Sequence, residues 1–167
     1  MNDEGQSFSG AHRREMVALL ARWIVGGLYL YMGLNKALHP VVFLKLVRQY
    51  EMVESPLLLN LIAAALPWFE VFCGLMLVGG VAVRGTALMS LLMLIPFTAV
   101  VLQRALALQA ASAVPFCAIR FDCGCGAGEV LICHKLVENA LLIGLSCLLL
   151  AWRSPRWCLR YQLLKPS

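Results

Sequence analysis

The residues with the clearest chemical potential in this chain are four cysteines that lie close together in the sequence. Cys123 and Cys125 are separated by a single residue, Cys117 lies upstream and Cys133 lies downstream. Thiol–disulfide exchange needs a thiolate, a nearby sulfur and access to both. A disulfide across one residue is expected to be strained, and strained, exposed disulfides tend to be labile or catalytic. The spacing therefore predicts Cys123 and Cys125 as a redox pair, with Cys117 and Cys133 as its resolving or shuttle pair.

Two other interpretations of the cysteines stay open. They could form two fixed disulfides that only staple a loop, or they could bind a metal. The spacing is Cys-x5-Cys-x-Cys-x7-Cys-His. Zinc sites usually use Cys-x2–4-Cys spacings, so this pattern is a poorer match, and copper or an iron–sulfur cluster is the remaining metal option. We therefore assign no metal ligands.

The composition indicates a membrane protein. The 167 residues are 61% hydrophobic and 14% charged, whereas soluble domains are roughly 45–50% apolar and about 25% charged. Mean hydropathy is +0.80. The net charge is +5, but the basic residues lie at the ends of apolar runs and form no stripe. That distribution favours a lipid bilayer as partner and excludes nucleic acid.

Four apolar runs predict the architecture. A helix needs roughly 20 apolar residues to cross the hydrocarbon core, and each run approaches that length. We expect an all-α integral membrane four-helix bundle, with the cysteine loop between the third and fourth helices. The flanking segments 1–16 and 153–167 are predicted to be a disordered tail and a basic tail, both cytoplasmic. The predicted spans are residues 17–35, 57–81, 86–108 and 136–152.

Two connections also carry predictions. Residues 36–56 place apolar side chains near helical spacing between charges, which predicts a short amphipathic segment on the membrane surface. Between the second and third runs, Arg84 and Gly85 predict a tight turn.

A carboxylic acid lies inside the second run. Glu70 follows Pro67 by less than one turn, and an acidic group near the centre of a spanning helix costs about 2.5–3.5 kcal/mol on insertion scales. Glu70 should therefore face the bundle interior, be paired or be protonated. It is either a structural interhelical hydrogen-bonding group or a contact for a proton or a quinone.

The basic residues predict the orientation. Four spans place both termini on one side, and that side carries eight basic residues against six on the other. The positive-inside rule then places the termini in the cytoplasm and the cysteine loop in the periplasm or exterior, where disulfides persist. The eight are Arg13, Arg14, Arg22, Arg84, Arg153, Arg156, Arg160 and Lys165, and the six are Lys36, Lys45, Arg48, Arg104, Arg120 and Lys135.

A series of motifs resembles a known family. The sequence contains Arg22-x3-Gly26-x6-Gly33-x2-Lys36, His39-Pro40, Tyr50, Leu66-Pro67-Trp68-x-Glu70 and Gly74-Leu75-x-Leu77-x-Gly79. These motifs are similar to those of DoxX-like membrane proteins. The added Cys123-Gly124-Cys125-Gly126, before a last helix that opens with Glu138-Asn139, resembles the MauE branch, the methylamine utilisation proteins. The resemblance covers about residues 17–152.

The resemblance implies a function. It implies a multi-pass protein of the inner (plasma) membrane that relays disulfides or matures a client, such as the small subunit of an amine dehydrogenase. It also implies a thioredoxin-like protein and a secreted client as partners. The association of DoxX relatives with quinone-linked oxidation makes a quinone the candidate cofactor, with Trp68 and Glu70 as its candidate contacts.

Two rival functions belong to other classes. The first is a non-enzymatic membrane subunit or assembly factor of a quinone-linked respiratory complex, in which the cysteines are purely structural. The second is a small transporter or metal-handling protein that uses Glu70, Glu138 and the Cys/His cluster. Thiol trapping separates the first rival from a relay, and metal analysis separates the second.

Overall fold

The computed structural model describes residues 3–49, 55–111, 114–122 and 128–152. Within these ranges, four helices are long and apolar enough to cross a membrane. This confirms the predicted all-α membrane four-helix bundle. The spanning helices are α1 (Asp3–Leu38), α3 (Pro56–Gly79), α4 (Val83–Ala111) and α5 (Ile132–Ala151), and a shorter helix, α2 (Pro40–Gln49), lies between the first two.

The first helix begins earlier than the sequence predicted. We expected residues 1–16 to be a disordered tail, but the described part of that segment, from Asp3 onward, is helical and continuous with the span. Residues 11–16 include alanine, arginine, glutamate and methionine, all good helix formers, and the segment contains no proline. The apolar part that could cross a membrane is Arg13–Leu38.

The turn between α3 and α4 also lies elsewhere than predicted. Gly80 ends α3 in the left-handed conformation, with φ 71°. Its N–H donates to Leu77 O, and the N–H of Val81 donates to Met76 O. Glycine adopts this conformation without strain, which makes it the common residue after a helix. Arg84 and Gly85, which predicted the turn, instead lie in the first turn of α4.

The helices α1 and α3 pack with their backbones almost in contact. A Cβ atom added at Gly33 would lie 2.8 Å from both Pro67 O and Val71 N, and one added at Gly74 would lie 2.8 Å from Gly26 O. Small residues at a helix interface permit this approach and are typical of membrane helix pairs. The contact fixes Glu70 of α3 beside the last turns of α1.

The apolar core has two parts. The larger part lies among all four spanning helices and includes the fully buried Val25, Leu77, Ala87 and Leu142. The smaller part lies beneath the cysteine loop and consists of Val101, Ala105, Ile119 and Ile132.

The connection from α4 to α5 contains more structure than a loop. A 3₁₀ turn (Phe116–Ala118) precedes strand β1 (Arg120–Asp122), which pairs antiparallel with strand β2 (Glu129–Leu131). The N–H of Ile132 donates to Ile119 O at 3.1 Å, which ties the start of α5 to this connection. α5 begins four residues before the predicted span, so Cys133 lies in its first turn.

The short helix α2 is amphipathic, as its sequence predicted. Phe43 and Leu46 are buried, whereas Val41 and Val42 are more than half exposed. The buried face packs mainly against α3. That α2 lies on the membrane surface stays a prediction.

Candidate functional site

The structure brings two of the four predicted cysteines together. Cys117 of the 3₁₀ turn and Cys133 of α5 form a disulfide, with their Cα atoms 5.0 Å apart. The other two, Cys123 and Cys125, lie outside the described residues. They belong to the segment that joins β1 to β2, so the paired strands fix where that segment starts and ends.

The disulfide lies at the boundary between core and surface. Cys117 is exposed, whereas Cys133 is half-buried against the apolar cluster that contains Ile119 and Ile132. The base of the hairpin, where Arg120 pairs with Leu131, is next to both cysteines in sequence. At roughly 3.3 Å per residue, the far end of the strands is about 7 Å from this base. A partner thiol can therefore approach from outside, and the hairpin loop starts close to the disulfide.

The two free thiols among the described residues lie within the spans. Cys73 is buried in α3 and Cys147 is exposed on α5. Such cysteines usually behave as small apolar residues, and we assign them no role.

A second candidate site lies inside the bundle. Lys36 Nζ of α1 donates to Glu70 Oε1 of α3 at 2.5 Å, and the two side chains are only 5% and 10% exposed. Glu70 is 14 residues from the start of α3 and nine from its end, about 21 Å and about 14 Å at a rise of 1.5 Å per residue. These distances keep the carboxylate deep in the span. Glu70 thus faces the interior and is paired, as its position in the sequence predicted.

Aromatic rings surround the ammonium group of Lys36. Its Nζ lies 5.3 Å from the centre of the Phe43 ring and 5.7 Å from that of Phe97. Ring faces attract cations at such distances, and more strongly where water is excluded. The helices α2 and α4 therefore each place a ring near the ammonium group, in addition to the carboxylate of Glu70.

A further polar group comes from α5. Lys135 is 1% exposed and donates to Glu138 Oε2 at 3.0 Å. Asn139 is equally buried, and its Nδ2 donates to Thr98 Oγ1 of α4 at 3.1 Å. A cavity of about 40 Å³ lies between these side chains and the Lys36–Glu70 pair. All four spanning helices line it, with α1 contributing Tyr29 as well as Lys36.

Lys36 and Lys135 were expected to be surface charges, but both are buried in the interior. The signal was their spacing. Lys36 lies four residues after the buried Met32, and Lys135 lies four before the buried Asn139. Each therefore continues the buried stripe of its own helix.

Trp68 does not join this site. It is 63% exposed on α3, whereas Glu70 is 8% exposed. Two residues of separation turn a helix by about 200°, so the two side chains lie on opposite faces. The structure therefore separates the two residues that the sequence analysis named as quinone contacts.

The described residues offer no metal centre. Among them, no three histidine, cysteine or acidic side chains are grouped so that they could hold an ion. Glu70 and Glu138, which the metal-handling alternative requires, are each bonded to a lysine instead.

Comparison with known families identifies the fold's relatives. The family described as "Methylamine utilisation protein MauE" matches residues 14–153, which is most of the chain. The chain belongs to the MauE family. Membership implies a role in methylamine utilisation, and the match includes all four spans of a multi-pass membrane protein. Comparison with curated proteins and with solved structures gives no significant match.

Proposed function

We propose that this MauE family protein is a membrane thiol–disulfide relay that supports disulfide formation in a periplasmic client. The small subunit of an amine dehydrogenase is the client that the family role favours. The observation that carries the proposal is the position of the Cys117–Cys133 disulfide. It lies at the base of the hairpin whose loop carries Cys123 and Cys125.

The proposed chemistry is two successive exchanges. A client thiolate attacks the Cys123–Cys125 disulfide, and the mixed disulfide resolves when the second client thiolate displaces the relay cysteine. The client leaves oxidised and the relay pair is left as two thiols. Exchange with Cys117–Cys133 restores the relay disulfide and moves the two electrons and two protons inward. Trp68 would contact a quinone in the bilayer, which would supply the acceptor for these two electrons and two protons.

The burial of three cations supports the proposed orientation. Lys36, Lys135 and Arg22 are each at most 5% exposed, so they lie inside the bundle and not in a loop. Without them, seven basic residues remain on the side of the termini and four on the cysteine side. The positive-inside rule then favours cytoplasmic termini in the inner membrane more strongly than the sequence count did. Alkaline phosphatase fused after Gly128 should be active in cells, and an inactive fusion would reverse the orientation.

The size of the interior cavity bears on where a quinone would bind. A cavity of about 150 Å³ holds a benzene ring, whereas the cavity beside Glu70 measures about 40 Å³. Trp68 instead faces outward from α3, where a carrier dissolved in the bilayer can reach it. We therefore place the proposed quinone contact at Trp68 and assign no ring contact to Glu70.

The proposal is tested by serine substitutions in cells. Cys123→Ser and Cys117→Ser should each lower the oxidised fraction of the client, measured by alkylation and gel shift. Cys147→Ser is the matched control, because Cys147 is a free thiol on the outer face of α5. If Cys123→Ser and Cys117→Ser both leave the client as oxidised as the control does, the cysteines only staple the loop.

A further inference from the structure

The cavity inside the bundle is lined in part by polar side chains, although the surrounding core is apolar and packs without them. Each of α1, α3 and α5 contributes a charged side chain, from Lys36, Glu70 and Lys135, and α5 adds the amide of Asn139. Burying such groups in a span is costly, and they mark functional sites more often than packing sites.

The hydrogen bonds of these groups are incomplete. Glu70 Oε2 has no partner among the described residues, although it is fully buried. Lys36 and Lys135 each use one of three ammonium protons in the side-chain bonds that the structure shows. A buried carboxylate oxygen without a donor is unfavourable, because the hydrogen bonds that it loses to water are not replaced. The cavity therefore offers both donors and an acceptor to whatever fills it.

The size of the cavity decides which molecule fits. A water molecule needs roughly 10–15 Å³ of such space and two to four polar partners. The cavity of about 40 Å³ therefore has room for about three waters. Water can donate to Glu70 Oε2 and accept from Lys36, Lys135 or Asn139. An added cation would meet two ammonium groups, so a small amine is disfavoured.

We propose that this cavity is a hydrated proton-access site that connects Glu70 to the cysteine side of the membrane. Waters join Glu70 to Lys135, and Lys135 is bonded to Glu138, whose side chain is 33% exposed. Protons from solution reach the Lys36–Glu70 pair along this route. The inference does not depend on the proposed thiol chemistry.

The side of the cavity toward the termini is mainly apolar. Below the cavity lies the larger apolar cluster, in which Val25, Leu77, Ala87 and Leu142 are at most 2% exposed. Exchange with the side of the termini would have to cross this layer. Arg22, Ser90 and Ser146 are also buried on that side, so we propose access from the cysteine side only, where Lys135 is bonded to the partly exposed Glu138.

The ionisable groups that face the cavity are few. Tyr29 and Lys36 come from α1, Glu70 from α3 and Lys135 from α5, and Glu138 is bonded to Lys135. The residues of α4 that line the cavity are Met93, Leu94 and Phe97, none of which is ionisable. Tyr29 donates to Ser90 O at 2.9 Å, so its proton is engaged. Glu70 is the only carboxylate among the residues that line the cavity, and its Oε2 is buried without a described partner.

Radiolytic hydroxyl labelling of the whole protein in nanodiscs tests for the waters. Bound water generates radicals that oxidise adjacent methionines, and Met32 and Met93 both line the cavity. Met89 is the matched control, because it lies one turn before Met93 on α4 and is 45% exposed on the outer surface. We expect several-fold more label on Met32 and Met93 than on Met89. Equal or lower labelling would show a dry cavity and overturn the proposal.

Variants test the route. Asn139→Leu should fill the cavity and remove the label from Met93, whereas Ser146→Ala, on the same helix and away from the cavity, should leave it. Glu138→Leu should reduce the label several-fold by closing the exposed end. Unchanged labelling in Glu138→Leu would exclude access past Lys135. Labelling that survives in Cys117→Ser would separate this site from the thiol relay.

Discussion

Removing either partner of the buried ion pair should destabilise the protein more than removing both. Lys36 Nζ and Glu70 Oε1 lie 2.5 Å apart, with side-chain exposures of 5% and 10%. Lys36→Met leaves the carboxylate without its counter-ion deep in the span, and Glu70→Met strands the ammonium. The double variant replaces both with apolar groups of similar length, and no buried charge of the pair remains.

The magnitude follows from the geometry. At 2.5 Å and an effective dielectric constant of about 20, the direct attraction is about 7 kcal/mol. Desolvation costs several kcal/mol for each ion and offsets most of this gain. Breaking a buried pair by removing one partner costs about 3–5 kcal/mol, whereas replacing both partners by apolar residues is often neutral. We expect the free energy of unfolding to fall by about 3–5 kcal/mol in each single variant and by less than either in the double variant.

The assay is reversible unfolding in mixed micelles, with helicity as the readout, for wild type, the two single variants and the double variant. Ser146→Ala serves as the control, because Ser146 is fully buried but does not line the cavity. A double-variant loss equal to the sum of the single losses within about 0.5 kcal/mol would show that the pair is not coupled. That result would refute the reasoning.

Two further predictions concern packing and the disulfide. Gly33→Ala should destabilise the protein, because its methyl group would press on the backbone of Pro67, whereas Gly27→Ala, with nothing within 4 Å, should stabilise it by about 0.5–1 kcal/mol. Equal effects in the same unfolding assay would contradict the close contact of α1 and α3. Cys133→Ser opens a loop of 16 residues and should cost about 3 kcal/mol on the chain-entropy account. Cys147→Ser should cost little, and equal losses in thermal unfolding would argue against the disulfide.

The sequence predicted the bundle because membrane spanning is a property of length and composition. Each of the four runs approaches or exceeds the roughly 20 apolar residues that a span requires, and four spanning helices are present. The ends of the helices were harder to predict. The helix α1 continues back to Asp3 through polar sequence, and hydropathy contains no information about such an extension.

The interior site was only partly predictable. Glu70 stood out because an acid inside an apolar run has few alternatives. Lys36 and Lys135 lie near helix ends, where long cationic side chains usually reach the surface. On α5 the buried residues Lys135, Asn139, Leu142, Ser146 and Leu149 follow spacings of four and three, so the stripe was readable. Nothing in the sequence told that Lys36 would meet Glu70 of α3 and the ring of Phe97 on α4.

The cysteine loop was likewise predictable only in part. The clustering of Cys117, Cys123, Cys125 and Cys133 was visible at once, but four cysteines allow three pairings and spacing does not choose among them. The pairing of Cys117 with Cys133 depends on the hairpin and on the early start of α5. Both are set by hydrogen bonds that a count of apolar residues does not reveal.

The most direct test of the thiol relay follows its cysteines through one cycle in proteoliposomes. A reduced dithiol peptide is added outside, with or without ubiquinone in the bilayer, and each cysteine is quantified by differential alkylation and mass spectrometry. The relay predicts that Cys123 and Cys125 become reduced by the peptide and are reoxidised only when the quinone is present, as Cys117 and Cys133 pass the electrons on. If all four cysteines keep the alkylation state that they had before the peptide was added, with and without ubiquinone, the disulfides are structural and the central claim is wrong.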